Sequence, residues 1–316
     1  MVSQRVLAGE WTERVAAPAG VVYGLLADAV RWPLLLSAPV HVERLDFDGA
    51  LERLRLWDVA DERVRSCHVR RILDARSRTV AFEQEDVFRP GLPVKGTWAV
   101  EADGPDGCRL SLRQECVPEP LAGLEGAAFQ GATVRQLGEV KESAERWERL
   151  DELLMSFEDG VHVDGPAEVV YDFLHRIEDW PDLLPHVDAA AVTEDVPGVQ
   201  IASVETCAAP DGLPVTVRTV RLCFPSAARI VSKELRPPEL VAAHTGEWSL
   251  EPEEGGVRVV RTQRVMLREE AVEPLLGPGT GLAEARRYVR SRLGRAANET
   301  LRMARWHALS AVRRLR

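Results

Sequence analysis

Little in the sequence marks a redox, metal or hydrolytic centre. The 316 residues include only five cysteines, Cys67, Cys108, Cys116, Cys207 and Cys223. Their count is odd and no two form a C-x-x-C pair, so they read as reduced core thiols in a cytosolic protein. There is no H-E-x-x-H motif, and the seven histidines show no metal-ligand spacing, so no metal is expected. A G-x-S-x-G nucleophile elbow is absent as well. No apolar run approaches the roughly 20 residues that cross a bilayer, and the opening MVSQRVLAGEWTERV lacks the basic-then-apolar layout of a secretory signal. The expectation is a cytoplasmic protein without a membrane partner. Basic charge is also short: the formal net charge of −10 argues against nucleic-acid binding, which needs a cationic surface.

What the chain does have is an internal repeat. APAGVVYGLLADAVRWPLLL lies beside DGPAEVVYDFLHRIEDWPDLL, with Pro18 on Pro166, Val22-Tyr23 on Val170-Tyr171 and Trp32-Pro33 on Trp180-Pro181, each pair 148 residues apart. Further on the offset is 150, with Arg71 on Arg221, Gly96 on Gly246 and Trp98 on Trp248. A two-residue insertion in a loop accounts for the change. The chain is a tandem duplication.

Each half reads as a short strand, a helix opened by proline, a break at Trp-Pro, about six alternating strands separated by turns such as Pro210-Asp211-Gly212, and a long amphipathic helix. The closing helices carry Val134, Leu137, Val140, Ala144, Trp147 and Leu150 in one half, and Leu282, Ala285, Val289, Leu293, Ala297, Leu301, Ala304 and Ala308 in the other, at spacings of three and four. This pattern predicts an α+β fold in which each antiparallel sheet curves around its final helix and leaves an interior pocket. The boundary is expected near Leu154 to Glu158, giving domains over 1–155 and 156–316.

Strand parity places one arginine per half on the inward face, Arg71 beside Cys67 and Val69, and Arg221 beside Val217 and Thr219. A guanidinium cannot shed its charge, so burial demands partners. Either a carboxylate or snorkelling satisfies it, or it is a donor preformed for a ligand oxygen. Trp32, Trp98, Trp180 and Trp248 are core residues or the apolar walls that a flat, oxygen-rich ligand needs. Gly277-Pro278-Gly279-Thr280-Gly281 and its counterpart from Gly123 to Gly131 read as entry loops to the closing helices, since no βαβ unit surrounds them. Ten arginines and one acid, Glu299, fall between Arg286 and Arg316. They form a solvated helix face or a docking surface for an acidic partner.

With Trp-Pro after the first helix, an arginine in the fourth strand and Gly-x-Trp on the sixth, both halves resemble the aromatase/cyclases of bacterial type II polyketide synthases, of the START-like helix-grip superfamily. The duplication resembles their two-domain subclass. The resemblance implies a cofactor-independent enzyme that directs first-ring, C7–C12 aldol cyclisation and dehydration of a poly-β-ketone carried by an acyl carrier protein, alongside other synthase components. It implies catalytic roles for Arg221 and Arg71, and pocket walls from Trp32, Trp98, Trp180 and Trp248. A closing-helix asparagine of the family matches Asn298, which the first half lacks. The family's pocket tyrosine after Trp-Pro is replaced by Pro39 and Val187, with His186 adjacent. His186, Asn298 through a water, and Thr219 are the candidates for proton transfer. A noncatalytic carrier of aromatic or lipid ligands is the alternative, because fold does not fix function.

Overall fold

The computed structural model describes residues 7–60, 62–85, 93–116, 125–206 and 215–314. Cys207, the Pro210-Asp211-Gly212 turn and Gly123 lie outside them. Two compact units emerge, Met1–Leu150 and Asp151–Arg316. In the first, β1 (Leu7–Val15) leads to α1 (Ala19–Ala27) and α2 (Trp32–Leu35). There follow β2 (Pro39–Phe47), β3 (Leu51–Ala60), β4 (Arg63–Asp74), β5 (Thr79–Gln84), β6 (Pro93–Ala102) and β7 (Cys108–Cys116), then α3 (Glu125–Glu145), and the single turn α4 (Leu150–Leu153) runs from the end of this unit into the next. The second unit repeats the order: β8 (Leu154–Val163), α5 (Ala167–His175), α6 (Trp180–Leu183), β9 (Val187–Val196), β10 (Val199–Thr206), β11 (Val215–Phe224), β12 (Arg229–Glu234), β13 (Val241–Glu253) and β14 (Gly256–Leu267). A short α7 (Val272–Leu276) and the long α8 (Leu282–Arg314) close it. The segment expected to link the halves, Leu154 to Glu158, is already strand β8, where it pairs with β14.

Each unit holds one seven-stranded antiparallel sheet, ordered β1-β7-β6-β5-β4-β3-β2 and β8-β14-β13-β12-β11-β10-β9. The first strand of each half thus closes a six-strand meander beside the last strand, as local hairpin connections favour. The long helix of each unit packs against that first strand. In α8 the apolar stripe Ala285, Val289, Ala297, Leu301, Ala304 and Ala308 is buried, as its helical spacing requires. In α3 the expected stripe is shifted: Leu137, Val140 and Ala144 are buried, but Val134 is exposed and Thr133 takes the inward place. Trp147, in a 3-10 turn after α3, is exposed. Gly131, assigned to a loop by its composition, lies inside α3, whereas Gly277 and Gly279 sit in the turn before α8 with φ of 104° and 79°.

Cross-strand register defines the concave face of each sheet. In the second unit one row runs Gln200, Arg221, Ser232, Gly246, Gln263 and Phe157, and its equivalent in the first runs Glu52, Arg71, Phe82, Gly96, Gln114 and Gly9. Both inward arginines therefore occupy the same lattice point.

Candidate active site

A helix leaves its last carbonyls without intrahelical donors. Sequence supplies donors for them twice here. In α1, Trp32 Nε1 donates to Leu25 O at 3.0 Å, and Arg71 Nη2 donates to Leu26 O at 2.5 Å and Ala27 O at 3.4 Å. In α5, Trp180 Nε1 donates to Phe173 O at 3.0 Å, while Arg221 donates to Leu174 O and, at 3.1 Å, to His175 O. A cation at the C-terminal end also complements the helix dipole. The Trp-Pro motif and the fourth-strand arginine are thus two parts of one device that fastens the first helix to the sheet.

Each guanidinium has one further partner from the neighbouring strand. Arg71, 1% exposed, forms an ion pair with Glu52 at 3.1 Å, and its guanidinium lies 4.9 Å from the Trp32 ring centre. That ion pair lacks hydrogen-bond geometry, and Nε and Nη1 of Arg71 donate no hydrogen bond. Burial lowers the Arg71 pKa to about 10 against the opposing pull of Glu52, so it remains cationic at neutral pH. Arg221, 5% exposed, instead donates to Gln200 Oε1 at 2.6 Å. Burial likewise lowers its pKa. Both arginines are inward and buried, as parity predicted. Helix carbonyls take the Nη2 of Arg71 and both Nη groups of Arg221.

A different group of polar side chains lines the interior of the second unit. Arg261, on β14, lays its guanidinium 4.9 Å from the Trp248 ring centre and 3.3 Å from Ser232 Oγ. Gly246 makes this possible: a Cβ there would fall on the Arg261 guanidinium. Arg261 keeps some accessible surface, yet desolvation, with the Arg221 charge adding, lowers its pKa to about 10 while Glu234 and Glu247 oppose. One row along, His244 Nδ1 lies 2.7 Å from Glu234 Oε1, and its Nε2 lies 3.2 Å from Gln263 Oε1. The carboxylate and the amide oxygen both accept, so the ring nitrogens are the donors in these two contacts. Gln263 also reaches Leu293 O of α8 at 3.5 Å, which places the cluster between sheet and helix. Across the strand pair from Glu234 stands Thr219, half-buried, with Val217 and Val204 similarly half-buried nearby. The concave face is more open at this end than around Arg221 and Cys223.

The first unit provides an internal comparison. Phe82 stands where Ser232 does, Leu112 where Arg261 does, and Gln84 where Glu234 does. The space above Gly96 is filled by the Phe82 ring, not by a guanidinium: a Cβ at Gly96 would lie 2.5 Å from Phe82 Cζ. At these positions the same scaffold carries Phe82 and Leu112 in one copy and Ser232 and Arg261 in the other.

The remaining expected residues fall as follows. Trp98 and Trp248 are buried on the concave faces; Trp32 and Trp180 are committed to the helix ends. His186 is half-buried and its Nδ1 lies 3.2 Å from Glu299 of α8. Asn298 is exposed, bonded to Gly294 O at 2.7 Å and Asp159 Oδ1 at 3.2 Å. Its neighbour Ala297 takes the inward place, about 100° around the helix, so Asn298 does not join the interior group. Arg261, Glu234, His244, Gln263 and Ser232 were not foreseen. For Arg261, Glu234 and Ser232 the signal is that they differ from Leu112, Gln84 and Phe82 of the first half, whereas Gln263 matches Gln114. Among the described residues, no three His, Cys, Asp or Glu side chains gather as a metal would require, and no helix is long and apolar enough to cross a membrane.

Two helix-and-sheet units, each with a buried arginine fastening its first helix to the sheet, define a tandem helix-grip architecture. Residues 155–302 match the family described as polyketide cyclase / dehydrase and lipid transport. The chain is 34% identical over 319 residues to the granaticin polyketide synthase bifunctional cyclase/dehydratase of Streptomyces violaceoruber, covering 99% of this chain and 96% of the relative. It is 33% identical over 305 residues to the actinorhodin counterpart of Streptomyces coelicolor, covering 93% and 94% of the two chains. Among solved structures, the di-domain aromatase/cyclase BexL of the BE-7585A biosynthetic pathway matches with a TM-score of 0.81 and 32% identity, over 96% of this chain and 98% of that one. StfQ of the steffimycin pathway matches with a TM-score of 0.82 and 28% identity, over 96% and 99%. The chain belongs to the family of di-domain polyketide aromatase/cyclases, the bifunctional cyclase/dehydratases. It is an enzyme of that family with the tandem helix-grip fold.

Proposed function

We propose that the interior of the second unit folds a carrier-protein-bound poly-β-ketone, closes its first ring between C7 and C12 by aldol addition, and drives the dehydration that makes the ring aromatic. The observation that carries this reading is Arg261, held over Trp248 and beside Arg221 inside a sheet whose sister copy has leucine at the same point. The methylene hydrogens of a β-dicarbonyl are already acidic, so closure needs a chain held near its attack geometry and a donor where enolate or alkoxide charge develops. Arg261 is that donor. Trp248 and Thr219 line the space for the substrate. Arg221 and Arg71 act through the helix ends they hold, with Trp32 and Trp180, and Trp98 packs on the concave face of the first unit. The Nδ1 of His186, paired with Glu299, stands apart from this group. The partners are the acyl carrier protein and other type II synthase components, in the cytoplasm. The test is product profiling of a reconstituted type II synthase with and without this protein, with carbon labelling to locate the first ring. A C7–C12 aromatic product that depends on the protein is expected. An unchanged product distribution supports a noncatalytic carrier instead, and a ring closed between other carbons overturns the regiochemical assignment.

A further inference from the structure

Glu234 combines features that a structural carboxylate does not need. Its side chain is 10% exposed, and it stands on the concave face opposite Thr219. One oxygen, Oε1, is fixed by the Nδ1 hydrogen of His244. The other, Oε2, is buried and has no hydrogen-bond partner among the described residues. A buried carboxylate oxygen left without a donor is costly, and the fold keeps it while His244 and Gln263 hold the head in place. The aligned position in the first unit is Gln84, equal in shape but unable to carry a proton.

We infer that Glu234 is the proton-transfer residue of the dehydration step, with Arg261 as its electrophilic partner. This rests on the assignment of chemistry to the second unit. In the ring-closed β-hydroxy ketone, Glu234 Oε2 takes the proton from the carbon next to the carbonyl. The C–H electron pair moves into the enolate, and Arg261 stabilises the negative oxygen. When the carbonyl re-forms, that pair becomes the carbon–carbon double bond and the C–O bond to the hydroxyl breaks. The leaving oxygen takes the proton from the Glu234 carboxyl and departs as water. The carboxylate is restored, and no oxidant or metal is consumed. One group serves as base and then acid, so a single unoccupied oxygen suffices.

The experiment adds full-length Glu234→Gln, the first unit's own solution at this position, to the reconstituted synthase and compares it with the wild type. Accumulation of the ring-closed, undehydrated alcohol is expected, with the rate of aromatised product lowered at least ~100-fold. Glu234→Asp, which keeps the carboxyl, should recover part of that rate. Aromatised product from Glu234→Gln at the wild-type rate overturns the inference. So does equal loss in Gln and Asp variants whose melting and ring closure match the wild type. If the wild type itself leaves the product profile unchanged, the enzymatic assignment fails, and that outcome is separate.

Discussion

Replacing Arg221 by methionine separates a clamp from a ligand donor. The substitution keeps most of the side-chain volume and removes every donor. It strands Leu174 O and Gln200 Oε1, which now receive guanidinium hydrogens, and leaves His175 O with only Gln200 Nε2 at 3.5 Å. Each stranded buried acceptor costs about 1–3 kcal/mol. Removing a buried cation relieves several kcal/mol of desolvation, leaving a net loss in the ~3–5 kcal/mol range typical of a broken buried polar partnership. For a unit of this size one kcal/mol moves the midpoint by about 2–4 °C, so Tm should fall by roughly 10 °C. Differential scanning calorimetry, with the two units' transitions resolved, reads this directly. Arg221→Lys keeps the charge but cannot span two carbonyls and an amide, and should fall between the two. If Arg221→Met melts like the wild type yet forms no aromatised product, the clamp reasoning is refuted and the guanidinium serves the ligand.

Other expectations follow from the same geometry. Arg71→Met should destabilise the first unit by about 3–5 kcal/mol, because it leaves the fully buried Glu52 with only Arg44 at 2.6 Å; adding Glu52→Gln, the second unit's solution, should restore part of the loss in a denaturant titration. Gly246→Ala should displace the Arg261 guanidinium and lower turnover of folded protein. Gly96→Ala meets the Phe82 ring and, at 2.6 Å, the Arg113 carbonyl, so it should cost ~1–3 kcal/mol of overpacking and leave turnover of the folded fraction unchanged. The Gly198 backbone N–H, aided by Gln200, His175 and Arg221, holds the Glu194 carboxyl below its ordinary range against the opposing effect of burial. Its stabilising contribution is therefore complete above the ordinary carboxylate pKa and lost as pH falls through the lower folded value. Glu194→Gln should flatten that acid limb in melting measured from pH 6 to 2.

The duplication, the succession of elements along each half and the inward parity of Arg71 and Arg221 were all legible, because rare residues recurring in register are carried by sequence alone. What a buried guanidinium holds was not legible. Parity says that a side chain points inward, but the carbonyls of Leu174 and His175 come from a helix whose docking angle no local pattern encodes. The proposed chemistry falls where the repeat breaks: Arg261 aligns with Leu112 and Glu234 with Gln84. Asn298 misled for a simpler reason: it matched a family position by type, while the stripe of Ala297, Leu301 and Ala304 already assigned the inward face to its neighbour.

The most direct measurement is the rate of aromatised product from Arg261→Leu, which gives the second unit the residue that the first already has. The account predicts a loss of at least ~100-fold, as for removal of a transition-state charge donor, in a protein whose Tm is unchanged or raised, since a buried cation is replaced by an apolar side chain. Wild-type product at the wild-type rate would contradict it.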